Sequence, residues 1–136
     1  MGVAPQKDSV RHPGPMQILI VDAANVVGAN PNGWWKDRAG AAKRLHEQLL
    51  VADLPHDEIV LVLEGQAKGG VRSGKDGHVL VVHAARDGDS AITKEARARA
   101  EAGDVVTVIT ADRLLGAAVN AVGAQVMSPS WFLDHL

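Results

Sequence analysis

QILIVDAANVVG, residues 17–28, decides how this chain is read. Ile18 to Val21 run without a polar interruption, the pattern of a strand covered on both faces rather than one with a wet side. The run closes on Asp22, and Asn25 follows three residues on. In an open parallel sheet, ligands bind at the carboxyl ends of the strands, so an aspartate closing a buried strand is a candidate functional residue.

Four further runs have the same character: EIVLVLEG (58–65), HVLVVHA (78–84), DVVTVIT (104–110) and AQVMS (124–128). Helical segments fill the gaps, at about 36–52 with Ala42, Leu45 and Leu49 on one face, at 89–102, and at 112–122 with Leu115, Ala118, Val119 and Val122 aligned. SPSWFLDHL, at 128–136, opens with Ser128 as a helix cap and Pro129 in the first turn. The alternation predicts an α/β fold, a parallel sheet between two helix layers joined by right-handed crossovers. QAKGGVRSGKDG, residues 66–77, is too glycine-rich for a helix and reads as a long mobile loop between the second and third strands.

With 136 residues, 46% of them hydrophobic, the chain supports one well-filled domain. Fourteen Lys and Arg against 16 Asp and Glu give a formal net charge of −2, so any nucleic-acid partner must be held by a local basic patch and not by a global field. The absence of cysteine excludes a disulfide framework and thiolate metal sites, leaving carboxylates and six histidines as ligands. MGVAPQKDSVRHPGP, residues 1–15, reads as a flexible arm ahead of a domain at 16–136. It has no apolar core of a signal peptide, and no later run is long enough to span a membrane; a cytoplasmic protein is expected.

Acids gather where the strands end. The first strand closes on Asp22, the second on Glu64, the third leads to Asp87 and Asp89, and the fourth leads through Thr110 to Asp112. Each has an ordinary explanation, a helix cap for Asp89 and Asp112 or a solvated strand end for Glu64. Together they predict four or five carboxylates in one pocket, a cluster that cannot stay ionised without a counter-charge. A divalent cation resolves this. Oxygen-only ligands suit Mg²⁺ or Mn²⁺, which activate water and neutralise charge developing on a phosphodiester.

ILIVDAANVVG, LVLEG, ARDGDSAI and VITADRLL resemble, in order, the motifs of the NYN domain family, a branch of the PIN-like nucleases, and GANPNGWWKDRAGAAKRL resembles its actinobacterial variant. Asp22 and Asn25 match the first motif, V-D-G-x-N-V. In the acidic third motif Asp89 matches the first acid, whereas Ser90 stands where the family has a second, and Asp87 is the candidate replacement. Thr110, Asp112 and Arg113 match T-x-D-R, and Glu64 sits where the family often has an aspartate. The resemblance implies a three-layer sandwich around a five-stranded parallel sheet of order 3-2-1-4-5, and metal-dependent hydrolysis of RNA. Asp22, Asp89, Asp112 and Glu64 are then the catalytic acids, with Asp87 a further metal ligand and Asn25, Thr110 and Ser90 supporting the ligands. Members of the family often pair, which makes a homodimer one arrangement the resemblance allows.

Around that site, Lys68, Arg72 and Lys75 on the loop supply the local positive patch that net charge lacks, or else a merely solvated loop. Trp34 and Trp35 are two of only four aromatic residues and either stack on a base or lid the core. Lys94, Arg97 and Arg99 read first as a solvated helix face and, alternatively, as an extension of the phosphate track. His83 reads as an ordinary hydrogen-bonded residue. GGVRSGKD, 69–76, fails as a phosphate-binding loop because Asp76 replaces the hydroxyl residue and no helix follows. Two rival readings remain: a catalytically inactive PIN-like module that binds RNA or protein, and a Toprim-like Mg²⁺ enzyme, which VLEG and DGD also resemble.

Overall fold

β1 (Gln17–Asp22) is a central strand of the sheet, with Ile18 to Asp22 all buried. The computed structural model describes residues 14–29 and 33–136; the N-terminal arm expected at 1–15 falls outside that range except for its last two residues. α1 (Ala23–Gly28) follows β1 directly, and a 3-10 turn at Trp34–Lys36 leads into α2 (Arg38–Val51). β2 (Glu58–Leu63), a 3-10 segment (Gly65–Gly70), β3 (Gly74–Asp76) and β4 (Val79–His83) come next. The chain then alternates through α3 (Gly88–Glu101), β5 (Val105–Ile109), α4 (Arg113–Ala121), β6 (Gln125–Met127) and α5 (Pro129–Leu133).

The sheet has six strands in the order β3-β4-β2-β1-β5-β6. Five are parallel, and they stand in the relative order the resemblance implies. The expectation of a purely parallel, five-stranded sheet is corrected by β3, an antiparallel edge strand whose Lys75 lies opposite Leu80. Gly-Lys-Asp is short, exposed and free of β-branched residues, so no hydrophobic period announces it.

Alternation along each strand divides the core in two. Leu19, Val21, Leu61, Leu63 and Val81 face α1, α2 and α5, where Val26, Leu45, Leu49 and Phe132 are buried. Ile18, Ile20, Val60, Val62, Val106 and Val108 face α3 and α4, against Ile92, Ala96, Leu115 and Val119. Both faces are covered, which is why the runs look unbroken in sequence. Each such aliphatic side chain contributes about 1.5–3 kcal/mol by burial, so the sheet is a rigid platform for whatever stands on its edge.

The segment read as a mobile loop is tied down on three sides. His83 Nε2–H donates to the Val71 carbonyl at 2.7 Å, and Lys68 Nζ donates to the Ala84 carbonyl at 3.0 Å. Gly70 lies so close to the Ala39 carbonyl that a Cβ there would overlap it.

The chain moves outward from β1 through β2 to β4, then returns to the other side of β1 as β5. Strand order therefore reverses between β1 and β5, and crevices in open α/β sheets form at such a switch point, beyond the carboxyl ends of the strands.

Candidate functional site

Asp22 ends β1 at the switch point and is only 4% exposed. As the N-cap of α1 it accepts the Asn25 backbone N–H, while its Oδ2 accepts Asn25 Nδ2 at 2.7 Å and Thr110 Oγ1 at 2.9 Å. Thr110 stands just beyond β5 and also accepts the Asp112 N–H at 3.1 Å; Asn25 Oδ1 accepts the Ala111 N–H at 3.3 Å. Two polar side chains thus lock the end of β1 to the end of β5. Asp112 caps α4 through the Leu115 N–H at 2.9 Å.

The other side of β1 is built the same way. Asp87 caps α3, its Oδ1 taking the Ser90 N–H at 2.8 Å and its Oδ2 the Ser90 hydroxyl at 3.2 Å. Glu64, just beyond β2, accepts the Gly88 N–H through Oε1 at 2.7 Å. A Cβ on Gly88 would overlap that oxygen, so the glycine between the two aspartates of DGD makes room for a third acid. Nothing in the sequence signalled Gly88, because its constraint comes from a residue 24 positions away.

Asp89 lies in the first turn of α3, where its carboxylate takes no hydrogen bond among the described residues. Burial pushes its carboxyl above the usual range, and the charges of Asp112, Asp22, Asp87 and Glu64 push it the same way. Asp22 is raised too, by burial first, against the lowering effect of its bonds to Thr110 and Asn25. Asp87 is held below the usual range by the Ser90 backbone N–H, then by the Ser90 hydroxyl. All five predicted acids therefore stand on one edge, close enough for Asp89 to feel the other four.

Three clefts open along that edge. Glu64 lines a small cleft between α1, α2 and the 3-10 segment, Asp89 a second between α3 and α4, and Asn25 a third beside α5. Among the described residues no three His, Asp or Glu side chains form a ready-made cation cage. The reason is local: Asp22, Asp87, Asp112 and Glu64 each turn at least one oxygen to a backbone N–H. Among the described residues, Asp112 Oδ2 and Glu64 Oε2 take no hydrogen bond.

The expected basic patch splits up. Lys68 stays near the acid edge but is bonded to Ala84, Arg72 is exposed, and Lys75 pairs with Glu58 at 3.4 Å, at the opposite end of the strands. Arg113 is exposed at the start of α4. Trp35 is 56% exposed in its 3-10 turn; the ring of Trp34 lies outside what the structure describes. Arg99, read as part of a solvated face, instead pairs with the buried Glu58 and with Glu95.

A three-layer α/β domain with acids ranged along the carboxyl edge of its parallel strands is the class this geometry defines. The chain belongs to the YacP-like NYN domain family, whose model matches residues 19–136. Its fold is similar to the crystal structure of Rae1 (YacP) from Bacillus subtilis, with a TM-score of 0.66 and 24% identity over 88% of this chain and 72% of that one. A mutant structure of Rae1 matches with a TM-score of 0.60 and 22% identity, covering 88% and 74%. Comparison with curated proteins yields no match. The Toprim-like alternative falls with the family assignment. Among the described residues no helix is long and apolar enough to cross a membrane.

Proposed function

We propose that this protein is a metal-dependent ribonuclease that hydrolyses RNA phosphodiester bonds at the acidic edge of its sheet. The observation that supports this most is the meeting of five acids, delivered by four strand ends, around the switch point between β1 and β5. Membership of the NYN family, which is associated with ribonuclease activity, supports it independently.

The donors suit a hard cation, being oxygens throughout, with no thiolate in the chain. Asp22, Asp89 and Asp112 would hold it, with Asp87 beside them. Bound there, Mg²⁺ or Mn²⁺ would offset negative charge on the phosphate and favour deprotonation of a water. Asn25 and Thr110 fix the rotamer of Asp22, and Ser90 does the same for Asp87. Glu64, anchored through Oε1, keeps Oε2 open to take a proton from the attacking water. The water oxygen bonds to phosphorus, the bond from phosphorus to the leaving oxygen breaks, and that oxygen takes a proton from solvent. The same reading places the protein in the cytoplasm, with its RNA.

Purified protein incubated with single-stranded and structured RNAs in Mn²⁺ or Mg²⁺ should cleave at least one, and EDTA should stop it. Absence of cleavage with either metal across the panel would favour the inactive, RNA- or protein-binding module.

A further inference from the structure

Building on the ribonuclease reading, we propose that the RNA strand leaves the acidic edge along the cleft between α3 and α4, with Lys94 and Arg97 holding its phosphates and Leu114 supporting a base. This cleft, about 390 Å³, opens on Asp89 and Ser90 and runs past Lys94 and Arg97 on one wall and Leu114 and Ala118 on the other. Ser90, Lys94 and Arg97 are spaced i, i+4, i+7, so they form one stripe along α3. From Asp89 to Arg97 the helix rises about 12 Å, enough for a short run of nucleotides.

Charge favours this route, although Arg72, Arg86 and Arg113 are exposed as well. Of the three cations on α3, Arg99 is turned away into its pair with Glu58 and Glu95. Lys94 and Arg97 are exposed and take part in no ion pair among the described residues. Elsewhere around the edge, Lys68 is bonded to a carbonyl and Lys75 is paired at the far end of the sheet. A phosphate chain approaching five acids needs cations just outside the ring, and Lys94 is one helical turn from Ser90. Opposite them Leu114 is 84% exposed at the start of α4. Cations facing an apolar wall match a chain that offers a charged phosphate and a flat base at every step.

The test is fluorescence anisotropy of a labelled single-stranded RNA in EDTA, titrated over a range of KCl, with full-length protein. Each phosphate contact on a single strand contributes about 0.7 to the slope of log affinity against log salt. Lys94→Gln/Arg97→Gln should flatten the slope by about 1.4, and Leu114→Ser should weaken binding without changing the slope. Lys43→Gln/Arg44→Gln, an equal charge change on α2, should leave the slope as in wild type, and thermal melts confirm that each variant is folded. Equal slopes for the α3 pair and wild type, or equal flattening by the α2 pair, would overturn the cleft while leaving the ribonuclease reading intact. If wild-type protein neither binds nor cuts RNA, the ribonuclease reading fails and the cleft with it, which would point to a protein partner.

Discussion

Thr110 Oγ1 donates to Asp22 Oδ2 at 2.9 Å, joining residues 88 positions apart across the switch point of the sheet. The same hydroxyl accepts the Asp112 N–H. Thr110→Val keeps the shape and removes both bonds, leaving a buried carboxylate short of a donor. A loss of about 1–3 kcal/mol is expected in urea unfolding, while Thr110→Ser should lose little. A valine variant as stable as the serine variant would show that the bond carries no weight.

Asp89 ties stability to pH. Its carboxyl is raised by burial and by four neighbouring acids, so between the ordinary value of 3.8 and the raised one the folded state binds more protons than the unfolded chain. Stability attributable to this group therefore falls as pH rises through that window, and the deficit is complete above it. In EDTA, Asp89→Asn should melt above wild type at about pH 7, with the difference shrinking toward pH 4. Mn²⁺ should raise the melting temperature of wild type more than that of the variant. A variant that melts at or below wild type at neutral pH would refute the repulsion.

The proposed mechanism gives Asp112 a second role beside its cap, and the two are separable. As the cap of α4 it is replaceable by serine, which also accepts an N–H, but a hydroxyl cannot stand in for the carboxylate. Asp112→Ala should cost about 0.5–2 kcal/mol of stability and abolish cleavage. Asp112→Ser should recover the stability and remain inactive. Cleavage by the serine variant would reduce Asp112 to a cap.

Gly88→Ala tests the placement of Glu64. The added methyl group displaces Oε1 from the Gly88 N–H, while the helix itself tolerates alanine. The expected result is a folded protein with much reduced cleavage and little change in RNA affinity. Unchanged cleavage would remove Glu64 from the chemistry.

Much of this arrangement was legible in the residues because burial on both faces of a sheet leaves an unmistakable apolar run. ILIV, IVLVL and VVTVI mark their strands, and each acid that follows marks a strand end. What could not be read depends on contacts between distant segments. β3 carries no apolar period, Arg99 finds Glu58 41 positions away, and Gly88 at the start of α3 is constrained by Glu64 beyond the end of β2. The acids were foreseen at one edge; that Asp87 and not Asp89 caps α3 was not, because the choice depends on where the helix starts.

The most direct measurement is cleavage of one defined single-stranded RNA in Mn²⁺ by wild type, Asp22→Asn and Asp89→Asn, with melting curves confirming that each is folded. Replacing even the outer partners of metal ligands costs on the order of 10–100-fold. Both variants should therefore lose at least about 100-fold in rate, and wild type should lose its activity to EDTA. Cleavage that survives both substitutions would contradict the account, since the activity would then lie away from the acids that end β1 and begin α3.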